Sequence, residues 1–172
     1  NGEPTCSAGI CAVGKCNAGW YDTDAQASNG CECKEIDTDP GSFCADSIYK
    51  GVLDDNDKDQ TSHTGVLATE GDVDVIRFFA RDSFALFDEN FKVKVRLESA
   101  DPTIKFCVYR TDTGSHQNEC YWSNEVCPAN RQYQRDGKGG SGDDADFVVK
   151  VYRDATAVPT CTPYTLFMSN GV

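Results

Sequence analysis

The sequence predicts an all-β protein, with a small disulfide-rich module followed by an antiparallel β-sandwich or barrel of about eight strands. Three observations support this. Of the ten cysteines, six fall in the first 44 residues. From about residue 48 onward, short runs of alternating apolar and polar residues are separated by turn formers. No stretch of ten or more residues has the apolar spacing of an amphipathic helix.

The first module is predicted to span residues 1–45. It has few large apolar residues besides Trp20, Tyr21 and Phe43, so it cannot build a core that is stable by itself. Zinc is disfavoured because no pair of cysteines has the spacing of a zinc site. An even number of cysteines predicts local disulfides in an oxidising compartment. The six cysteines are Cys6, Cys11, Cys16, Cys31, Cys33 and Cys44.

The second module is predicted to span residues 46–172. Apolar and polar residues alternate in 91–98, 104–108, 147–151 and 164–168, which indicates strands with one buried face. The segment from Val73 to Ala80 has apolar residues on both faces, which predicts a central strand. We expect these strands to form a jelly-roll-like β-sandwich.

Four cysteines lie in the second module. Cys107 is inside a predicted strand, so a bridge to Cys120 across a hairpin is reasonable, and Cys127 would then pair with Cys161. Four cysteines permit three pairings, and the spacing alone leaves the choice open.

The charge of the chain restricts its partners and its location. With 28 acidic and 16 basic residues the net charge is −12, which disfavours nucleic acid and anionic membranes. No run of apolar residues is long enough for membrane insertion. We expect an extracellular or cell-surface protein whose signal peptide has already been removed.

The order and spacing of the first six cysteines, including Cys31-Glu32-Cys33, resemble the epidermal growth factor (EGF) module. The resemblance implies an EGF-like pairing of the first cysteine with the third, the second with the fourth and the fifth with the sixth. In this chain the implied bridges are Cys6–Cys16, Cys11–Cys31 and Cys33–Cys44.

The same stretch also resembles a short Cys-rich repeat of secreted bacterial surface proteins. The resemblance rests on Cys6-Ser-Ala-Gly-Ile-Cys11, Cys16-Asn-Ala-Gly-Trp20 and Asn29-Gly30-Cys31-Glu32. It implies a module that serves as a spacer and contact surface.

Residues 46–172 resemble the bacterial pre-peptidase C-terminal domain. The resemblance rests on Thr64-Gly65-Val66-Leu67, on the segment 71–78 that begins Gly-Asp-Val-Asp, and on Cys161-Thr-Pro-Tyr164. It implies a β-sandwich of the kind appended to secreted proteases and surface proteins, similar to collagen-binding domains.

Calcium is the predicted cofactor, because the run Asp54 to Asp59 places four carboxylates and an amide within six residues. The run is not an EF-hand loop, since Gln60 and Val66 stand where that loop needs Gly and Glu. In collagen-binding relatives calcium joins such a segment to the Gly-Asp turn. The alternative is a solvated acidic loop. The predicted metal ligands are Asp46, Asp55, Asp57, Asp59, Asp72 and Asp74.

A weaker calcium candidate combines Asp22, Asp24 and Glu32 with the Asn29 carbonyl, on ligand type alone. For ligand binding, Tyr121 and Trp122 are the candidates, because exposed aromatic residues on a sandwich stack on sugars or anchor proteins. Half-buried packing within the sheet is the alternative reading of both aromatic residues.

No enzyme is expected. His63 and His116 are the only histidines, and neither lies in a nucleophile elbow or a paired-carboxylate motif. The sequence therefore predicts a non-enzymatic structural, adhesive or binding protein whose partner is an extracellular protein or polysaccharide. The alternatives are a polymer-binding accessory domain of a secreted hydrolase and a self-associating subunit of an extracellular fibre.

Overall fold

The structure is a computed structural model that describes residues 1–36, 40–41, 44–83, 91–111, 125–137 and 142–172. These residues form twelve β-strands and one 3-10 turn at Cys44–Asp46. Within these ranges, no helix has the length and apolar character needed to span a bilayer. The strands are β1 (Gly2–Ser7), β2 (Ile10–Cys16), β3 (Trp20–Tyr21), β4 (Cys33–Lys34), β5 (Ile48–Asp54), β6 (Gln60–Val66), β7 (Val73–Arg81), β8 (Lys92–Ser99), β9 (Ile104–Thr111), β10 (Gln132–Asp136), β11 (Ala145–Arg153) and β12 (Pro163–Ser169).

Eight strands form two four-stranded sheets, which confirms the predicted disulfide-rich all-β fold. Sheet I has the order β10-β8-β12-β6, and sheet II has the order β5-β7-β11-β9. Neighbouring strands are antiparallel except β5 and β7, which are parallel. The chain leaves β5, enters sheet I as β6 and returns as β7, and such a crossover is what a parallel pair requires.

The core lies between the two sheets, and the alternating strands build it as predicted. On β8 the side chains of Val93, Val95 and Leu97 are buried, whereas the residues between them face outward. From sheet II, the rings of Phe78 and Phe147 stack in the core with their centroids 5.3 Å apart.

The outer face of sheet II is also covered. A second apolar cluster lies there, formed by Cys44, Val75, Cys107, Tyr109 and Val148. The backbone N–H of Val75 donates to the carbonyl of Gly41 at 3.2 Å, so Gly41 lies next to β7, and Cys44 packs on this face. This cover explains why β7 is buried on both faces, as its sequence predicts, and it leaves sheet I as the sheet with a polar outer face.

The N-terminal part of the chain consists of the hairpin β1–β2 and the short pair β3–β4. The hairpin is largely exposed to solvent. By contrast, Cys33 on β4 is fully buried against Val66 and Ala68, with Tyr21 packed beside them. The first module is therefore in contact with the sandwich where β6 ends.

The disulfides in the first module differ from those that the EGF resemblance implies. Cys6 pairs with Cys11, and Cys16 pairs with Cys31. Cys6 and Cys11 are directly opposite each other in the β1–β2 hairpin, which makes them neighbours. The implied bridges Cys6–Cys16 and Cys11–Cys31 are wrong.

A third disulfide joins Cys33 to Cys161, across 128 residues of sequence. The implied bridge Cys33–Cys44 is therefore wrong, and Cys44 is disulfide-bonded elsewhere. The contact between β4 and the end of β6 brings Cys33 to the segment that precedes β12. This bond links the two predicted modules covalently, and the boundary at residue 45 stays a prediction.

A fourth disulfide joins Cys107 to Cys127. Val108 and Val126 form an isolated antiparallel bridge. Val108 follows Cys107 and Val126 precedes Cys127, so the bridge places the two cysteines side by side. Cys120 lies outside the described residues. The observed bond replaces two predicted ones, Cys107–Cys120 and Cys127–Cys161.

Candidate functional site

The outer face of sheet I carries a regular array of polar side chains, which we call the polar platform. Strand alternation turns these side chains away from the core, and the cross-strand register aligns them in two rows that each cross all four strands. The first row is Gln132, Arg96, Phe167 and Ser62, and the second row is Gln134, Lys94, Ser169 and Gln60.

The aromatic ring of Phe167 lies in the first row. The guanidinium of Arg96 lies over this ring, 4.5 Å from its centroid, as in a cation–π contact. Arg96 also forms an ion pair with Glu98 on the same strand. Because both charged side chains are about half exposed, this ion pair is weak and can rearrange at little cost.

The two rows line a cleft of about 700 Å³. Its lining includes Lys94 and Arg96 and contains no carboxylate side chain. The chain as a whole has a net charge of −12, but the side chains that line the cleft include two cations and no acid. The charge of the lining is therefore opposite to that of the chain. The remaining polar atoms of the platform are amides and hydroxyls, which can both donate and accept hydrogen bonds.

The predicted ligand-binding residues Tyr121 and Trp122 lie outside the described residues. The structure points instead to Phe167, which the sequence reasoning passed over. A signal was present: Phe167 lies between the inward residues Leu166 and Met168, so it is an aromatic residue at a solvent-facing position of an alternating strand.

Two of the three predicted calcium ligands in the acidic run, Asp55 and Asp59, accept hydrogen bonds from backbone N–H groups. Asp55 is buried, and its Oδ1 accepts from the backbone N–H of Ser83 at 2.9 Å. Burial raises the pKa of the Asp55 carboxyl. The Oδ2 of Asp59 accepts from the backbone N–H of Asp54 at 2.9 Å. Asp57 is exposed within the turn.

The other three predicted ligands are distributed over the fold. Asp72 accepts a hydrogen bond from the backbone N–H of Ala68 at 2.7 Å, and buried Asp74 accepts one from the hydroxyl of Tyr164. Asp46 is in the 3-10 turn. Among the described residues there are two groups of three side chains whose potential metal-binding atoms lie within 4.8 Å of one another. None of these six aspartates belongs to either group.

The weaker calcium candidate does come together. Ligand atoms of Asp22, Asp24 and Glu32 lie within 4.8 Å of one another. Hydrogen bonds from the Asn29 side chain and the Gln26 backbone hold the pKa of Asp24 below its usual value. Calcium binding here and at the acidic run stays a prediction, and isothermal titration of calcium into chelated protein tests it.

A second group, Cys107, Glu125 and Cys127, is not a metal site, because its two cysteines are joined in a disulfide. Of the two histidines, His116 lies outside the described residues. His63 is 5% exposed and faces the interior, with its ring 6.0 Å from that of Tyr164. It therefore points away from the cleft.

No protein-family model matches the chain, and no curated protein matches it in sequence. Two solved structures are similar to the chain at low identity. One is PliG of Salmonella Typhimurium, a periplasmic inhibitor of g-type lysozyme, with a TM-score of 0.41 and 15% identity over 72% of this chain and 98% of that one. The other is PliG of Aeromonas hydrophila, also a periplasmic inhibitor of g-type lysozyme, with a TM-score of 0.38 and 12% identity over 72% and 99%.

Proposed function

We propose that this chain is an extracytoplasmic, non-catalytic binding protein and that the polar platform is its binding surface. The observation that carries the proposal is the cleft of about 700 Å³ on an otherwise regular sheet, lined by two rows of side chains in strict register. Small-ligand and oligomer sites are typically concave and of this size.

The disulfides support the extracytoplasmic part of the proposal. Four bonds join described cysteines, and Cys44 is disulfide-bonded as well. Bonds at this density persist where thiols are oxidised, which in bacteria means the periplasm or the exterior. The non-catalytic part rests on the sequence, in which neither a nucleophile elbow nor a paired-carboxylate motif occurs.

The way in which the platform is held supports a binding role. Its side chains stand on central and edge strands of a packed sandwich, so their backbone positions are fixed before any ligand arrives. A surface that is ordered in advance loses less conformational entropy on binding than a mobile loop does.

Filling the cleft tests this function. Ser62→Trp places a bulky side chain inside the cleft, and Thr64→Trp is the matched control, because Thr64 is on the same strand and the same face, outside the lining. Both proteins are applied, with the unmodified chain, to a panel of immobilised extracellular polysaccharides and proteins.

We expect at least one polymer to retain the unmodified chain and the Thr64→Trp variant, and to lose Ser62→Trp. Equal retention of all three proteins, or retention of none by any polymer, would contradict the proposal. Circular dichroism confirms that both variants are folded.

A further inference from the structure

We infer that the ligand of the polar platform is an oligosaccharide that carries carboxylate groups, as uronic acids do. This inference rests on the proposed binding function and adds the chemical class of the ligand. It follows from three properties of the cleft: its charge, its amide and hydroxyl side chains, and the ring of Phe167 with the Arg96 guanidinium over it.

The charge of the lining selects an anion. Lys94 has no ion-pair partner among the described residues, and it lies between Gln134 and Ser169 in the second row. Arg96, the other cation, is already paired with Glu98. One unpaired ammonium group can pair with one carboxylate of the ligand. A densely sulfated polymer would need several cations in the lining.

The uncharged side chains of the cleft suit a polyhydroxylated ligand. Four amides line it, and each can donate and accept at once, as pairs of neighbouring sugar hydroxyls require. The Gln134 amide group donates to Asp136 at 3.0 Å, which orients that side chain and keeps its carbonyl oxygen free to accept. The four amides are Gln60, Asn130, Gln132 and Gln134.

Phe167 supplies the apolar contact that a sugar ring needs. It is the aromatic residue of the two rows, and Arg96 extends its surface with a flat guanidinium group. The C–H face of a sugar can pack against this pair, while its hydroxyls reach the surrounding amides.

An acidic peptide is the competing occupant, and the geometry disfavours it. Peptides gain affinity on sheets mainly by pairing with a free strand edge. The cleft spans the face of sheet I across all four strands, so its occupant meets side chains and does not meet a strand edge. A peptide there would leave its own backbone groups without main-chain partners.

The test compares tetragalacturonate with its fully methyl-esterified form, which keeps the sugar backbone and removes the charge. Calorimetric titrations are made on the unmodified chain, on Lys94→Gln and on the matched control Lys150→Gln, which changes a lysine on the outward side of sheet II. A poly-glutamate peptide and the Ser62→Trp variant complete the set.

We expect the unmodified chain and Lys150→Gln to bind tetragalacturonate about tenfold more tightly than the ester, as one charge-assisted contact predicts. Lys94→Gln should bind both forms as weakly as the unmodified chain binds the ester. The preference should also shrink as salt rises, because Lys94 is accessible to solvent.

Equal affinity for acid and ester, an unaffected Lys94→Gln variant, or tighter binding of poly-glutamate would overturn the inference. If Ser62→Trp still abolishes binding in those cases, the proposed function stands and only the ligand class is wrong. If neither sugar binds, or if Ser62→Trp binds both as the unmodified chain does, the inference is overturned. The polymer panel then tests the proposed function independently.

Discussion

Arg153 and Asp101 form an ion pair inside the protein, with side chains that are only 6% and 5% exposed. Arg153 ends β11, and Asp101 lies in the turn between β8 and β9. The same guanidinium donates to the carbonyls of Leu67 and Thr160 at 3.0 and 3.1 Å. The pair thus ties both sheets to the segment that leads into β12.

Removing the arginine should leave a buried carboxylate without its partner. We expect Arg153→Met to lower the free energy of unfolding by about 3 to 5 kcal/mol. The control is Lys105→Met, which breaks a pair with Asp154 whose side chains are 48% and 40% exposed and should cost at most about 1 kcal/mol. Urea denaturation measures both. Similar losses for the two variants would contradict the assignment of Arg153 as a buried structural cation.

Asp101 should also determine part of the acid sensitivity. Burial opposes its ionisation, but hydrogen bonds from Thr103 and Thr160 together with Arg153 outweigh this and hold its pKa well below the usual range. A carboxyl with a depressed folded-state pKa contributes stability above its unfolded pKa of about 3.9 and loses it as the pH falls further. The stability difference between the unmodified chain and Asp101→Asn should therefore be constant from pH 7 to 5 and narrow below about pH 4. A gap that does not change down to pH 2 would refute this.

Asn170 is fully buried where the two sheets meet, and its amide group bridges them. Nδ2 donates to the carbonyls of Leu53 and Arg81 at 3.0 and 2.9 Å, and Oδ1 accepts from the backbone N–H of Lys92 at 3.2 Å. Asn170→Asp loses both donors and buries a charge, so we expect a loss of at least about 3 kcal/mol at pH 7.

The matched control for this change is Asn130→Asp at an exposed site, where the side-chain oxygen, which the substitution keeps, accepts from the backbone N–H of Gln132. It should change stability by less than about 0.5 kcal/mol. Thermal unfolding at pH 7 compares the two, and a small effect at residue 170 would count against the bridge.

The disulfides should differ in their contribution to stability. In the chain-entropy description, a bond that closes a longer loop restricts the unfolded chain more. Cys33–Cys161 spans 128 residues and Cys6–Cys11 spans 5. Replacing both cysteines of the long bridge by Ala should cost about 5 kcal/mol, against about 2 kcal/mol for the short one. Guanidinium denaturation of the two double variants tests the order, and a larger loss for Cys6–Cys11 would reverse it.

The sequence predicted the sandwich because the side-chain period of two is a local property. The alternation of Val93, Val95 and Leu97 with polar residues predicts which face of the strand is buried, whichever strand lies next to it. The disulfides could not be predicted in this way. Cys33 and Cys161 become neighbours only after β4 packs against the end of β6, and a pairing sought within each module separately cannot find that contact.

The polar platform also could be predicted from the sequence only in part. Alternation predicts that Arg96 and Phe167 each face solvent, but it does not predict which strands are adjacent. Ser62 and Gln132 are 70 residues apart in the chain, yet they lie in one row because β12 and β8 separate their strands. The order of the strands in sheet I, which depends on the whole chain, places these outward-facing residues side by side in the polar platform.

The bond between Cys33 and Cys161 also determines how the molecule carries mechanical tension. A pull applied to the chain before residue 33 and after residue 161 passes through the sulfur–sulfur bond, because it is the shorter covalent path. All eight strands of the two sheets except β12 lie between these cysteines and are bypassed. β12 lies outside this loop, so tension applied after residue 161 acts on β12, the strand that joins β6 to β8 in the polar platform.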